Sequence, residues 1–199
     1  MGRRKKLPTV LNKKEQEQLL DVFNERYPTT MRNKTMVMLM LDTGLRLSET
    51  INLKWENINL MSGKINVIEG KGAKDRILWF NNGALEQIRK WKDRQGEELS
   101  ERGIEEPAEY VFTTLKGKKL DGRNVRRMVK KYSNKAGISK NVSPHTLRHT
   151  FATDLYRETK NIRATQKALG HSDLSTTMIY THIVDDELEN AMKGLRERE

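Results

Sequence analysis

The chain contains no cysteine, which excludes disulfide bonds, thiolate metal ligands and a cysteine nucleophile. It also has no long apolar run, because the longest one, residues 36–41, is far short of the roughly 20 residues that cross a bilayer. The basic residues 1–6 are not followed by the apolar core of a signal peptide. We therefore expect a soluble, cytoplasmic protein with no membrane partner.

The chain has fewer acidic than basic residues, with 27 Asp and Glu against 38 Lys and Arg. The formal net charge is +11 and the isoelectric point is about 9.8. Such a charge is typical of proteins that bind polyanions, so nucleic acid is the first partner to consider. A basic surface that is merely solvated has the same composition, and charge alone does not identify the partner. The length of 199 residues predicts one compact domain with a well-buried core.

Most of the chain has the patterns of α-helices. Asn12 and Glu15 have the spacing of a capping box and open a helix that ends near Tyr27, and the apolar segment 32–42 predicts a central helix closed by Gly44. Further helices are expected at 48–53, 84–91, 121–136, 144–156, 162–169 and 175–182, followed by a separate amphipathic segment. The charged segment 95–107 lacks a clear apolar face, so we interpret it as an exposed connection between two halves.

Three short segments, 57–60, 64–68 and 76–80, have the composition of β-strands. Turn residues at 62–63 and 70–72 separate them, which predicts a small antiparallel meander. The expected fold is therefore mainly α (α+β), multihelical with a small three-stranded antiparallel sheet.

A few residues suited to phosphate chemistry are spread along the chain. They are Arg46, His145, Arg148, His171 and Tyr180, with Tyr180 nine residues after His171. Arginines offer forked donors that match phosphate oxygens, histidines move protons, and a tyrosine hydroxyl can attack phosphorus. Together these residues suggest covalent chemistry on a DNA phosphodiester. Taken singly, none is specific, because Arg46 could be a helix-end cation and Tyr180 an ordinary core or surface residue.

The pair His145 and His149 has the i, i+4 spacing of zinc ligands. No glutamate follows His145 and no third ligand is evident in the sequence, so we predict no metal and interpret His149 as structural. The sequence also lacks a P-loop and an acidic metal cluster, so we expect no ATP and no cofactor.

Five motifs resemble, in order and spacing, those of the tyrosine recombinases, also called the phage integrase family. They are TGLRLSE at 43–49, GKG at 70–72, HTLRH at 145–149, LGH at 169–171, and Tyr180. The resemblance extends from about residue 7 to 181. It implies that Tyr180 attacks the scissile phosphate, forms a 3′-phosphotyrosyl enzyme and releases a 5′-hydroxyl that a partner strand later uses to reverse the step. The implied partner is double-stranded DNA, bound by a homo-tetramer on synapsed DNA, with the free protein a monomer.

The resemblance also implies roles for individual residues. Arg46 and Arg148 form a cationic clamp on the phosphate, whose nonbridging oxygens gain charge during attack. His145 accepts or shares the tyrosine's proton, and His171 donates to a phosphate oxygen. Glu49 supports the site without taking part in the chemistry.

Lys71 matches the lysine that family members carry on a hairpin between strands. Its implied role is to protonate the leaving 5′-oxygen, which a lysine can do if its surroundings lower its pKa. Lys74 lies on the same turn, and the two lysines could exchange roles; otherwise Lys74 is expected to contact DNA.

The helix expected at 121–136 is strongly basic around one apolar face. We expect contacts with the DNA backbone, rather than a merely solvated surface, from Arg123, Arg126, Arg127, Lys130 and Lys131. Such contacts would position the DNA without reading its sequence.

We divide the chain into a basic, linker-like tail (1–8), a catalytic domain (9–182) and a C-terminal helical tail (183–199) that either packs on its own core or docks onto a neighbouring subunit. Most family members carry a further N-terminal helical domain, so we expect either an excised catalytic domain or a naturally short recombinase. Two other functions stay open: strand relaxation by a type IB topoisomerase, and regulation by a DNA-binding protein that does not cleave.

Overall fold

The computed structural model describes residues 7–68, 75–106 and 108–194. The helices are α1 (Lys13–Asp21), α2 (Pro28–Thr43), α3 (Leu47–Asn52), α4 (Asn82–Ser100), α5 (Gly122–Lys135), α6 (Pro144–Thr159), α7 (Ile162–Leu169) and α8 (Ile179–Gly194). The strands are β1 (Ile58–Asn59), β2 (Lys64–Val67) and β3 (Arg76–Trp79). The predicted fold class, mainly helical with a three-stranded antiparallel sheet, is confirmed. Within these ranges, no helix is both long and apolar enough to cross a membrane.

The sheet is the predicted meander, in the order β1-β2-β3 with both pairs antiparallel. Ile65 pairs with Ile58 on one side and with Leu78 on the other, and all three side chains are buried. Because side chains alternate along a strand, Arg76 lies on the same buried face of β3 as Leu78. Trp79 lies on the opposite face and is exposed.

Helix α2 is the centre of the main core and packs against both α4 and α6. It begins with Pro28 in its first turn, where a missing N–H costs nothing, and ends at Gly44 with a φ of +63°. A Cβ atom at Gly44 would lie 2.2 Å from Cδ1 of Phe151, so this turn requires glycine for space as well as for conformation. The turn sends the chain directly into α3.

The interpretation of residues 95–107 as an exposed connection was wrong up to Ser100, because α4 continues to that residue. Gln95, Glu98 and Leu99 are buried. The Gln95 amide is satisfied there, since it donates to the carbonyl of Val111 and its oxygen accepts from the indole of Trp55. A buried face made of hydrogen-bonded polar residues carries no apolar periodicity, which is why the pattern did not reveal it.

Other helix boundaries also differ from the expected ones, notably in the first and last helices. Helix α1 ends at Asp21, and a turn stabilised by the Asn24 side chain leads to Pro28. Near the C-terminus, a short 3-10 turn at Leu174–Thr176 precedes α8, which runs without a break from Ile179 across the expected boundary at residue 182.

A second, smaller core lies between α6, α7 and α8. Its buried members are Ala152, Leu169, Tyr180 and Ile183. Tyr180 therefore enters the fold as a core side chain at the start of α8.

Candidate active site

Arg46 is placed by the break between α2 and α3. It is the N-cap residue of α3, and its backbone N–H donates to Oε2 of Glu49 over 2.7 Å. Its guanidinium donates to Oε1 of Glu49 at 2.8 Å and to the carbonyl oxygen of Gly170 at 3.4 Å. The side chain is 34% exposed, so one of the expected phosphate-binding arginines is accessible.

Arg148, on α6, is almost fully buried. Its guanidinium donates to the carbonyl oxygens of Gly44 and Leu169 and to Nε2 of His171 at 3.1 Å. Burial, followed by the charge of Arg46, lowers the pKa of Arg148 to about 10, so it stays charged at neutral pH. The two arginines thus form one positive cluster at the junction of α3, α6 and α7.

Glu49 is the carboxylate of this cluster, and its side chain is only 7% exposed. Besides its bonds to Arg46, it accepts two hydrogen bonds from Arg76, at 3.0 and 2.8 Å. Burial acts to raise the pKa of Glu49, but the hydrogen bond and charge of Arg76, with help from Arg46 and Arg148, outweigh it and lower that pKa. Glu49 is therefore ionised.

The sequence did not single out Arg76, which was seen only as the first residue of a strand. A signal existed, because alternation along β3 puts Arg76 on the face of the buried Leu78. A charged residue on the apolar face of a strand requires a buried partner. The identity of that partner, Glu49, depends on the tertiary fold.

His171 follows Gly170, which ends α7 with a φ of +65°. Because Arg148 donates to its Nε2, the proton lies on Nδ1, which donates to Oγ1 of Thr177 at 3.0 Å. Burial, followed by the charges of Arg148 and Arg46, lowers the pKa of His171 to about 4. His171 is therefore neutral at physiological pH in the DNA-free chain.

Tyr180 is only 1% exposed, and its hydroxyl lies 3.0 Å from Nδ1 of His149. Burial raises the pKa of Tyr180, although the charge of Arg148 opposes it. Burial, followed by the charges of His145 and Arg148, lowers the pKa of His149 to about 4. A neutral imidazole and a neutral phenol therefore share this hydrogen bond.

His145 lies one turn before His149 on α6 and is exposed. The expectation that His145 shares the tyrosine's proton stays a prediction, but the histidine that contacts Tyr180 is His149, which sequence reasoning treated as structural. Lys71 and Lys74 lie outside the described residues.

The basic helix α5 lies beside the arginine cluster, since Gly122 at its start packs against Leu47 at the start of α3. Asp121 caps it, and Val125 and Val129 form its buried face. The expected DNA-contacting side chains are all exposed, namely those of Arg123, Arg126, Arg127, Lys130 and Lys131. Their positive charge therefore faces solvent along a helix whose first residue packs beside α3.

A cleft of about 520 Å³ opens between α3 and β2. Arg46, Glu49 and Asn66 line it, whereas Arg148 and Tyr180 do not. In the DNA-free chain, the cleft thus reaches the first arginine of the cluster but not the tyrosine.

Similarity to known proteins agrees with this geometry. Residues 9–187 match the model of the phage integrase family. Tyrosine recombinase XerD of Staphylococcus aureus (strain Mu50) is 38% identical over 184 residues, which cover 92% of this chain and 61% of that protein. Tyrosine recombinase XerC of Halalkalibacterium halodurans is 36% identical over 191 residues, which cover 95% and 62%. This chain thus spans about three fifths of the length of these relatives.

Solved structures give the same result for the fold. The crystal structure of XerA recombinase has a TM-score of 0.77 and 33% identity, and the match covers 98% of this chain and 67% of that one. XerH site-specific recombinase, solved bound to palindromic difH substrate in a post-cleavage complex, has a TM-score of 0.78 and 31% identity, covering 94% and 53%. From the family match, the arginine cluster and the tyrosine beside it, we conclude that the chain belongs to the phage integrase family.

Proposed function

We propose that the chain is the catalytic part of a site-specific DNA recombinase, which cleaves and rejoins DNA strands through Tyr180. The observation that carries the proposal is the junction of α3, α6, α7 and α8, which gathers Arg46, Arg148, His171 and Tyr180 from distant parts of the sequence. Relatives named XerD and XerC tyrosine recombinases support the same reaction. They do not favour a topoisomerase or a non-cleaving regulator.

The arginine cluster supplies what phosphoryl transfer needs most. A phosphodiester already carries a negative charge, and attack builds more charge on its nonbridging oxygens. Arg46 and Arg148 are held in place by hydrogen bonds before any substrate arrives. A preorganised cationic site stabilises the transition state without reorganisation during the reaction.

The proposed covalent step requires neither a metal ion nor ATP. The Tyr180 oxygen forms a bond to phosphorus, the bond from phosphorus to the 5′-oxygen breaks, and the phenol proton passes to a histidine. Lys71 supplies a proton to the leaving 5′-oxygen. Because the phosphotyrosyl bond conserves the phosphodiester linkage, a 5′-hydroxyl can reverse the step without an energy source.

The expected partner is double-stranded DNA, and XerH, solved with its difH substrate, supports it. The exposed basic side chains of α5 would hold the phosphate backbone and orient the duplex. Assembly into a tetramer on synapsed DNA and location in the cytoplasm are further parts of the proposal.

Trapping the covalent adduct tests this function. The chain is mixed with a pool of nicked duplexes of randomised sequence. Cleavage of such a duplex releases a short fragment, so rejoining is prevented and the enzyme stays covalently attached to the DNA. We expect an adduct on a denaturing gel that is lost in Tyr180→Phe and kept in Tyr132→Phe, whose ring stacks on Phe23 away from the site. Sequencing the trapped DNA would identify the target. DNA binding without any adduct would contradict cleavage by this chain.

A further inference from the structure

We propose that Arg76 is a positioning residue for the phosphate-binding cluster. It holds Glu49 and the end of α7 in place, and through them Arg46, Arg148 and His171. The inference rests on the proposed function, because it assigns Arg76 to the same site, but Arg76 itself would not contact DNA.

The contacts of Arg76 join three elements of the fold. From the start of β3, its guanidinium donates to both carboxylate oxygens of Glu49 on α3. Its Nε donates to the carbonyl oxygen of Ala168, in the last turn of α7, at 2.8 Å. Only 4% of the side chain is exposed. A buried, bidentate arginine of this kind fixes both the position and the orientation of its carboxylate partner.

The second contact determines where His171 lies. The carbonyl groups in the last turn of a helix lack partners within the helix, and Arg76 satisfies the one at Ala168 while placing its charge at the negative end of α7. The guanidinium also packs closely on the turn that follows, since a Cβ atom at Gly170 would lie 3.1 Å from its Nη1. Arg76 therefore supports the turn that presents His171 to Arg148.

The first contact determines how much of Glu49's charge reaches the phosphate site. Carboxylates and phosphates compete for the same arginine donors. With Arg76 bound to both of its oxygens, Glu49 is held 4.0 Å from the nearest Arg148 nitrogen. Without Arg76, an ionised and buried Glu49 would turn toward the remaining arginines and reduce the positive potential that a phosphate meets.

A structural role and a positioning role make different predictions. Loss of a buried arginine destabilises any protein, so stability alone does not separate them. Removing the charge of Glu49, however, should relieve the defect of an Arg76 variant only if the defect comes from an uncompensated carboxylate. The double variant Arg76→Gln/Glu49→Gln therefore distinguishes the two roles.

Arg32 offers a matched control. It is also a largely buried arginine that donates to a backbone carbonyl, that of Thr113, and to a neighbouring polar side chain, that of Asn33. It lies on α2, and its bonded partners belong to neither the arginine cluster nor its neighbouring turns. Arg32→Gln should lower the unfolding temperature as Arg76→Gln does, without affecting the site.

The first experiment measures single-turnover cleavage at saturating DNA, with a duplex recovered from the nicked pool. We expect Arg76→Gln to slow adduct formation by about 10–100-fold, which is the usual effect of removing a group that supports active-site residues. Arg76→Lys should recover part of this loss. Adding Glu49→Gln to Arg76→Gln should restore part of the rate, and Arg32→Gln should cleave at the wild-type rate. Equal rates for Arg76→Gln and Arg32→Gln, or no relief in the double variant, would overturn the proposal.

The second experiment does not depend on cleavage. Inorganic phosphate is titrated into the wild-type chain and the variants while the ring signals of His171 are followed by NMR. We expect about tenfold weaker phosphate binding at His171 in Arg76→Gln and no change in Arg32→Gln. If the wild type forms no adduct but this difference appears, the recombinase proposal fails while the role of Arg76 stands. Equal phosphate binding in all three proteins would refute that role.

Discussion

The hydroxyl of Tyr180 lies 3.0 Å from Nδ1 of His149, inside the small core between α6, α7 and α8. A phosphorus atom cannot approach an oxygen that the protein covers. The proposed cleavage would therefore require Tyr180 to leave this hydrogen bond, or its neighbours to move, once DNA is bound. Tyr180 and the arginine cluster are neighbours in the DNA-free chain, but only the cluster is partly open to solvent.

The phenol of Tyr180 should titrate above its usual value, because burial raises the pKa and the charge of Arg148 only partly offsets it. The difference in ultraviolet absorbance between the wild type and Tyr180→Phe, followed as the pH rises, isolates this group. A midpoint below the value for an exposed tyrosine would show that the arginines control the phenol rather than burial.

His149 and His171 should make the protein sensitive to acid. The pKa of each is lowered to about 4, whereas the unfolded chain takes up these protons near the ordinary value of about 6.5. The contribution of the two neutral histidines to the free energy of unfolding is therefore fully present above pH ~6.5 and is lost as the pH decreases toward ~4. Thermal unfolding of His171→Gln across this range should show a weaker pH dependence than the wild type. An unchanged slope would place the pKa of His171 near its ordinary value.

Binding of inorganic phosphate should raise the pKa of His171, which is low in the DNA-free chain. Its low pKa comes partly from the charges of Arg148 and Arg46, and an anion bound to these arginines offsets them. NMR titration of the imidazole with and without inorganic phosphate should give a higher pKa in its presence. The protonated ring could then donate to a phosphate oxygen, as the family resemblance implies. Equal pKa values in both conditions would mean that phosphate does not bind at the cluster.

Asp42→Asn should stabilise the chain at neutral pH. Burial raises the pKa of Asp42 to about 6, although a hydrogen bond from Asn81 acts to lower it. The Oδ2 atom of Asp42 is buried without a hydrogen-bond partner. A raised carboxyl pKa means that folding stability falls as the pH rises from ~4 to ~6. Removing the charge should add about 1–3 kcal/mol above that range. Chemical denaturation at pH 7.5 measures this change in the free energy of unfolding. Asp93 is exposed, so Asp93→Asn serves as the control.

Charge removal from α5 should weaken DNA binding without changing its sequence preference. Arg126 and Arg127 are exposed on α5, and each lost phosphate contact should lower the slope of log K against log salt by about 0.9. Binding of a duplex to Arg126→Gln/Arg127→Gln, measured by fluorescence anisotropy at several salt concentrations, tests this. Lys90 lies on α4 and pairs with Glu86, and Lys90→Gln should keep the wild-type slope.

Sequence reasoning succeeded where local chemistry determines structure. Helix α7 has the predicted bounds because Asn161 caps its start and Gly170 ends it, and both signals lie within the segment itself. Arg46 and Arg148 were singled out from the order and spacing of their motifs, and the fold brings them together; their role in binding phosphate stays a prediction.

The relationships that failed to appear in the sequence all depend on the tertiary fold. His145 and His149 are one helical turn apart on α6, so only the packing of α8 decides which of them contacts Tyr180. The bond between Arg76 and Glu49 joins residues 27 positions apart on different elements. Neither relationship leaves a periodic trace that a pattern of apolar residues could reveal.

Under the proposed function, the burial of Tyr180 would separate DNA binding from DNA cleavage. With a net charge of +11, the proposed recombinase would bind any duplex electrostatically, including the vast excess of sequences that are not its target. If the phenol were permanently exposed, each such encounter would bring a nucleophile to a chromosomal phosphate. Because the same ring is a core residue of the DNA-free fold, under the proposed function accidental contacts would meet a surface that can hold DNA but cannot cut it.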